Sequence, residues 1–258
     1  MITTSELSVR CISKPSFEEQ VFDEFLKEHK SNWIKTGGSL PEKLVEAAGR
    51  ICYMSFGKER QSPKSNNEYI KHLIKQGHES VLEHINWTFV MSGVSRAFTH
   101  QLVRHRVGFA FSQLSQQYHD ESDASFIMPK AVQRDKALRE TWLDTLKKMK
   151  SAYQSLIEKT EKDDKLDAKS KKEKLREIRS SARSILPNAT ESKLVVTANA
   201  RSLRHFFEVR GSIDGDLEMR LVASALLDIV KKDAPSVFFD FDKIMLEDET
   251  PKVITLEI

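Results

Sequence analysis

The spacing of apolar residues predicts two helices in the first part of the chain. Residues 39–53, SLPEKLVEAAGRICY, read as a helix entered through Pro41. Residues 65–68, Ser-Asn-Asn-Glu, have the composition of a capping box, and Gly77 marks the end of the helix that follows. The apolar face of this second helix is formed by Tyr69, Ile70, Leu73 and Ile74.

A two-residue alternation then replaces the helical period. Apolar side chains occupy every second position at Ile85, Trp87, Phe89 and Met91, which predicts a strand with one face in the core. After Gly93 the helical period returns, with apolar residues four apart at Val94, Phe98 and Leu102. The pattern therefore predicts a helix over residues 94–105.

The second half of the chain contains a highly charged run between residues 131 and 183, where lysines alternate with acidic residues. This pattern favours a solvated helical hairpin with a flexible tip. Further on, a strand passes into a helix capped by Asn199, and another helix covers about 217–231. The aromatic segment SVFFDFDKIM, from Ser236, is expected to dock on the core.

Helices and strands alternate without a regular βαβ repeat, which favours an α+β fold: a mixed or antiparallel sheet flanked by helices, with the charged helical excursion at about 131–183. We assign residues 1–258 to a single domain. No apolar run is long enough to span a membrane, and no secretory signal is visible. Two cysteines and a net charge of +3 favour a cytoplasmic protein that binds no polynucleotide.

Four clusters have the residue types of a binding site. They are GHESVLEH (77–84), QLVRHR with the loop after it (101–122), ARSILPN (182–188) and NARSLRHFFEVR (199–210). His78 and His84 are too far apart for a two-histidine zinc motif, so no metal site is predicted. Any one arginine in these clusters is most simply a surface charge. Arginines in three separate segments, however, suggest a shared anionic ligand such as phosphate.

The order of these motifs resembles a known family. The triplet Arg-His-Arg, a short spacer and Ser-x-x-Tyr, placed after a helix that ends in QLV, are similar to the signature of the flavin-dependent thymidylate synthases. The other motifs, GHES-x-x-EH, SRAFTHQLVRHR, ARSILP and NARSL, follow in the same order as in that family. The resemblance covers roughly residues 47–129 and 182–235.

This resemblance implies a reaction, its cofactors and an assembly. The reaction is reductive methylation of dUMP at C5 to dTMP, with methylene-tetrahydrofolate as the carbon donor. A flavin, FAD, recharged by NADPH, supplies the reducing equivalents. The resemblance also implies a homotetramer whose active sites are assembled from several subunits.

Site residues are carried over by position. The resemblance implies flavin binding by His78, Ser80, Arg104, His105, Arg106, Gln113, Asn199, Arg201 and His205. It implies nucleotide binding by Gln101, Arg104, Ser115, Gln117, Arg183 and Arg210, with Arg183 on the phosphate. Arg210 is the expected catalytic residue, because a guanidinium there would stabilise negative charge on the uracil and make C5 more nucleophilic. Ser115 is assigned to binding and not to nucleophilic attack.

Several positions depart from the family pattern. The spacer between the triplet and Ser115 has eight residues where the family has seven. Gln113 stands where the family commonly has glutamate, and Gln117 where it commonly has arginine. A glutamine can hydrogen-bond a ribose or base but cannot neutralise a phosphate. Cys52 stands at a family serine position near the flavin, and we expect it to be a small buried residue.

Two alternatives follow from these departures. An altered ribose pocket would suit methylation of another pyrimidine nucleotide, such as UMP. A chain that lost turnover would be a flavin- or nucleotide-binding homologue, although the retained Arg183 and Arg210 argue against this.

Overall fold

A computed structural model of the protein describes residues 2–161 and 167–257. The strands are β1 (Ser8–Ser13), β2 (Asn86–Ser95), β3 (Phe109–Gln113), β4 (Glu191–Asn199), β5 (Phe241–Met245) and β6 (Pro251–Thr255). The helices are α1 (Glu19–Glu28), α2 (Leu40–Ile51), α3 (Asn66–Lys75), α4 (Arg96–Leu102), α5 (Lys130–Arg134), α6 (Lys136–Glu161), α7 (Ala168–Ala182), α8 (Ala200–Arg210) and α9 (Leu217–Asp233). Short 3-10 turns cover Glu79–His84 and Arg183–Ile185. This mixture of helices and strands confirms the predicted fold class.

The capping residues place the starts of α2 and α3 where the sequence predicts them. At α2 the Ser39 N–H donates to the Glu42 carboxylate at 2.8 Å, which is the glutamate half of a capping box. At α3 the Ser65 hydroxyl accepts from the Glu68 N–H at 3.3 Å. Each bond satisfies a polar group that the first helical turn leaves without an intrahelical partner.

The larger sheet has four strands in the order β1-β2-β4-β3. On β2 and β4, Thr88 pairs with Thr197 through their hydroxyls at 2.9 Å, and the Gly93 N–H donates to the Glu191 carboxylate at 2.9 Å. From the first pair to the second, the residue number rises along β2 and falls along β4, so these two strands are antiparallel. The predicted antiparallel sheet is therefore confirmed.

The two central strands alternate between buried and less buried positions. The buried side chains are Trp87, Phe89 and Met91 in β2 and Leu194, Val196 and Ala198 in β4. This two-residue period confirms the strand predicted from the alternation over residues 85–91.

The helix predicted over residues 94–105 is shorter, because β2 continues through Ser95. The Ser95 hydroxyl accepts from the Phe98 N–H at 3.0 Å and so caps the start of α4. The predicted start at Val94 is therefore wrong, since Val94 is a fully buried strand residue. Phe98 and Leu102 are buried on the helix, as the spacing predicts.

The described residues divide into two compact units. Unit 1 comprises residues 2–8, 91–104, 111–161 and 167–195, and unit 2 comprises residues 9–90, 105–110 and 196–257. Each of the strands β1 to β4 contributes residues to both units. The assignment of residues 1–258 to one domain stays a prediction.

In unit 1 the charged excursion at 131–183 is helical and is formed by α5, α6 and α7. It also buries an apolar core, formed by Tyr153, Ile157 and Ala182. This core attaches the two long helices to each other, so the hairpin is more than a solvated charged surface. The predicted flexible tip falls on residues 162–166, which lie outside the described residues.

In unit 2 the aromatic C-terminal segment docks, as predicted, and the helix that it packs against is α8. The rings of Phe238 and Phe241 are fully buried, and their centroids lie 5.9 and 5.7 Å from that of Phe207. The Arg204 guanidinium forms two hydrogen bonds of 2.6 Å to the Asp240 carboxylate beside them. The chain then forms an antiparallel hairpin of β5 and β6, which the sequence did not predict.

Cys11 and Cys52 are both free thiols. Cys52 is exposed at the C-terminal end of α2, so the expectation that it would be buried is wrong. The physical reason is its position, since the buried face of α2 ends at Arg50 and the next turn faces solvent.

Two further findings concern the described part of the chain alone. Over residues 2–161 and 167–257, no helix combines the length and the apolar character needed to cross a bilayer. In the same ranges, no group of three or more histidine, cysteine or acidic side chains is arranged to hold a metal ion.

Candidate functional site

Most of the residues predicted to bind flavin belong to unit 2. They are His78, Ser80, His105, Arg106, Asn199, Arg201 and His205, and the expected catalytic Arg210 lies in the same unit. Arg104 and Gln113, which were also predicted to bind flavin, belong to unit 1. The unit boundary thus divides the Arg-His-Arg triplet after its first residue.

The turn before β3 is fastened to the start of α8. The Asn199 side chain caps the helix by accepting from the Ser202 N–H at 2.9 Å, and the Asn199 N–H donates to the Gly108 carbonyl at 3.1 Å. The Ser202 hydroxyl donates to the Val107 carbonyl at 2.8 Å. Gly108 has φ +68°, and a Cβ there would stand 2.0 Å from the Ser202 hydroxyl oxygen. Only glycine fits this position.

His105 is held in place from α8. Its Nε2 accepts from the Arg210 Nε at 3.1 Å, and the centroid of its ring lies 5.1 Å from that of Phe206, edge to face. Burial lowers the pKa of His105 below its ordinary value, and the charges of Arg210 and His205 lower this pKa further. At neutral pH His105 is therefore a neutral imidazole whose Nε2 is an acceptor.

Arg201, in the first turn of α8, pairs with the turn that carries the GHES motif. Its Nη1 lies 2.6 Å from the Glu83 carboxylate, and its Nε lies 3.8 Å from that of Glu79. His78 and Ser80, in the same motif, are exposed. The side chain of Arg201 is 49% exposed, and ion pairs at such exposure contribute little to stability. Breaking these ion pairs would therefore cost little free energy.

Unit 1 contains all but one of the residues predicted to bind nucleotide: Gln101, Arg104, Gln117, Ser115 and Arg183, with Arg210 in unit 2. Gln113, in the same unit, is already engaged within the fold. Its Nε2 donates to the Thr99 hydroxyl at 2.9 Å and to the Ser192 hydroxyl at 2.7 Å. Because an amide nitrogen has two N–H groups, only the carbonyl oxygen of Gln113 is left to contact a ligand.

Ser115 begins a tight turn after β3. Its carbonyl accepts from the Tyr118 N–H at 3.1 Å and from the His119 N–H at 2.9 Å. Its hydroxyl oxygen accepts from the Gln117 N–H at 3.3 Å. The hydroxyl can still donate its own proton, which suits a binding role.

Three arginines share one helical face at the end of α7. Arg176, Arg179 and Arg183 follow one another at spacings of three and four residues. The Arg176 guanidinium lies 5.4 Å from the centroid of the Tyr118 ring. The Arg179 Nη1 donates to the Tyr118 carbonyl at 3.3 Å, and its Nη2 lies 3.6 Å from the Asp120 carboxylate. The family motif includes only Arg183; the helical spacing places Arg176 and Arg179 on the same face.

Asp120 balances part of this positive charge. Burial by itself would raise the pKa of Asp120, but hydrogen bonds from the Ser122 hydroxyl and N–H, together with the charge of Arg179, lower it below its ordinary value. The carboxylate is therefore ionised at neutral pH and fixes Arg179 against the turn.

Comparisons with known proteins identify the family of the chain. The family model described as thymidylate synthase complementing protein matches residues 37–236. A flavin-dependent thymidylate synthase of Corynebacterium diphtheriae is 43% identical over 208 residues, which are 80% of this chain and 81% of that protein. A flavin-dependent thymidylate synthase of Mycobacteroides abscessus is 42% identical over 212 residues, which are 82% of this chain and 84% of that protein. A third, of Corynebacterium aurimucosum, is 36% identical over 256 residues, which are 97% of each chain. The chain therefore belongs to the flavin-dependent thymidylate synthase family.

Proposed function

We propose that this protein is a flavin-dependent thymidylate synthase. It methylates dUMP at C5 to give dTMP, with methylene-tetrahydrofolate as the carbon donor and NADPH as the reductant. One observation carries the proposal: the chain is more than 40% identical, over four fifths of its length, to proteins of that name. The matched region, residues 37–236, contains every motif on which the prediction was based.

The side chains of unit 2 fit the binding of FAD. Arg106 and Arg201 offer exposed guanidinium groups, which bind the oxygens of phosphates in pairs. His78, Ser80 and His205 add exposed hydrogen-bonding groups in the same unit. When bound, FAD supplies the hydride chemistry that links NADPH to the one-carbon unit.

The other residues assigned to the flavin have narrower roles. The side-chain oxygen of Asn199 caps α8, so its amide nitrogen is the group left for a ligand. Gln113 has the opposite arrangement, with its nitrogen engaged and its oxygen left. Arg104 is exposed just beyond α4 and is assigned to both the flavin and the nucleotide.

In unit 1 we assign the phosphate of dUMP to the arginines at the end of α7. Arg183 is exposed and makes the direct contact, and Arg179 adds a second positive charge on the same helical face. This second charge offsets the one that Gln117 lacks. Ser115, Gln117 and Gln101 contribute hydrogen bonds to the nucleotide.

Arg210 is the residue that we assign to activation of the uracil. Its Nε is engaged by His105, so the two terminal nitrogens are the groups that face a ligand. Their positive charge stabilises the negative charge that develops at N3, C4 and O4, and C5 becomes more nucleophilic as a result.

A homotetramer and a cytoplasmic location complete the proposal. We infer the homotetramer from membership of the family alone. Light scattering at several concentrations measures the mass directly. The two free thiols are consistent with a reducing compartment.

An anaerobic flavin titration tests the proposed function. FAD is added to the purified protein, and its bleaching by NADPH is followed with no nucleotide, with dUMP and with UMP. Methylene-tetrahydrofolate is then added, and the 5-methylated product is measured. We expect dTMP from dUMP. Product from UMP alone would identify a ribonucleotide methylase, and flavin binding without product would identify a binding protein; neither alternative is favoured by the relatives.

A further inference from the structure

The ring of His105 is fixed on two sides by aromatic packing. Its centroid lies 5.1 Å from that of Phe206 and 5.9 Å from that of Phe109. Both contacts restrict the ring, so its Nε2 points in a fixed direction. The group in that direction is the Nε–H of Arg210, at 3.1 Å.

We propose that His105 is a positioning residue for Arg210: it accepts the Nε–H and thereby fixes the plane of the guanidinium that faces the pyrimidine. This inference rests on the proposed function. It gives the central residue of the triplet a task that is separate from any contact with the flavin.

The physical reason lies in the flexibility of arginine. An arginine side chain has several freely rotating bonds, and holding it in one conformation costs entropy. One hydrogen bond at Nε fixes the guanidinium plane and leaves four terminal N–H donors pointing away from His105. Donors that are already oriented need no rearrangement when charge develops on the ligand.

The arrangement requires neutral His105. Arg210 and His205 face it from α8, and Arg104 and Arg106 flank it along the chain. These neighbours disfavour a further positive charge, in agreement with the lowered pKa of His105. The pKa of His105 in the folded protein is below its ordinary value. The hydrogen bond from Arg210 is therefore present at pH values above this folded-state pKa, and it is lost as the pH falls through the folded-state pKa.

A double-mutant cycle tests the proposal on the FAD-loaded enzyme. His105→Phe keeps the ring but removes the acceptor, and we expect kcat to fall about 10- to 100-fold. Arg210→Lys removes the Nε–H while keeping the charge. In that background His105→Phe should lower kcat by less than about 3-fold, because the bond is already absent. Additive losses would overturn the proposal.

Two variants serve as controls. His105→Gln offers a carbonyl oxygen near the position of Nε2, so it should restore most of the kcat that His105→Phe loses. Because glutamine does not titrate, the fall of kcat at acidic pH that His105 causes should disappear in this variant. His205→Phe changes the neighbouring ring, and its effect should be additive with that of Arg210→Lys.

A second measurement does not depend on turnover. Imidazole 15N NMR of the FAD-loaded protein should show His105 with an unprotonated Nε2 at neutral pH and a pKa below its ordinary value. In Arg210→Ala this pKa should rise, because the nearby positive charge is gone. An unchanged pKa, or a protonated Nε2 in the wild type, would overturn the proposal. If NMR shows the expected state of His105 but dUMP yields no dTMP, the proposed function is wrong, whereas the hydrogen bond between His105 and Arg210 is confirmed.

Discussion

Two arginines of α8 illustrate how differently one helix uses the same side chain. Arg204, in the middle of the helix, is almost fully buried and bonds the Asp240 carboxylate twice and the Val237 carbonyl once. Arg210, in the last turn, bonds the neutral His105 through Nε. The charge of Arg204 is balanced inside the fold, whereas that of Arg210 is not balanced by its histidine partner.

The partner and its burial therefore separate the roles of Arg204 and Arg210. A buried carboxylate partner neutralises the guanidinium and uses its terminal donors. A neutral imidazole fixes the side chain but leaves its charge and terminal donors for a ligand. We expect substitutions at the two positions to separate stability from activity.

The largest expected effect is that of Arg204→Ala on stability. The substitution leaves the Asp240 carboxylate buried without its partner, which should lower the free energy of unfolding by about 3–5 kcal/mol. Urea denaturation measures the change. Replacing both residues, as Arg204→Met with Asp240→Leu, should recover part of the loss. A loss below about 1 kcal/mol in the single variant would contradict the structural role of Arg204.

Arg210→Ala should show the opposite pattern. We expect turnover to fall at least about 100- to 1,000-fold, because the charge that stabilises the ionised uracil is gone. The unfolding midpoint and the FAD content should stay close to those of the wild type. Single-turnover kinetics measure the turnover, urea denaturation measures the unfolding midpoint, and the flavin spectrum measures the FAD content. Near-normal turnover would remove Arg210 from the mechanism.

A smaller effect is expected at the nucleotide turn of unit 1. Arg179→Ala removes one positive charge near the phosphate, although not the direct contact, and should weaken dUMP binding by about 1 kcal/mol. Gln117→Arg should tighten binding in the wild type and offset part of the loss in Arg179→Ala. Calorimetric titration with dUMP measures each affinity.

The matched control for this pair is Arg139→Ala, since Arg139 is exposed on α6. It changes the net charge equally and should leave dUMP affinity unchanged. If Arg139→Ala and Arg179→Ala weaken binding alike, the effect comes from total charge and not from a defined site.

The smallest effect is expected for the third arginine of α8. Glu83→Gln removes the exposed partner of Arg201, and the free energy of unfolding should change by less than about 1 kcal/mol. Asp240→Asn makes the same chemical change at the buried pair of Arg204 and should cost considerably more. If the two variants lose similar amounts of unfolding free energy, burial does not determine how much these ion pairs contribute to stability.

The parts of the fold that could be predicted from the sequence are those that depend on local signals. At Ser39, Ser65 and Asn199 the helix start is fixed by a bond to a residue three positions away, so the signal is visible in a short window. The alternation in β2 is local in the same sense. The family motifs also identified candidate site residues, because each motif is contiguous in the chain.

What could not be predicted depends on partners distant in the chain. The motifs assign roles to Arg201 and Arg210 but name no partner for any arginine of α8. Only the folded chain shows that Arg204 faces Asp240 and that Arg210 faces His105. The hairpin of β5 and β6 was missed for the same reason, since its strands are short and mostly polar. At the α4 boundary, strand pairing overrode the helical period.

Gly108 has an evolutionary consequence. The turn before β3 and the first turn of α8 meet there without space for a methyl group, and the Asn199 and Ser202 side chains form the opposing surface. A chance substitution at any one of these three positions meets a fixed neighbour and is selected against unless the others change with it. The turn before β3 and the start of α8 are thus inherited together, and in descendants of this chain we expect the three residues to be retained as a set or replaced as a set.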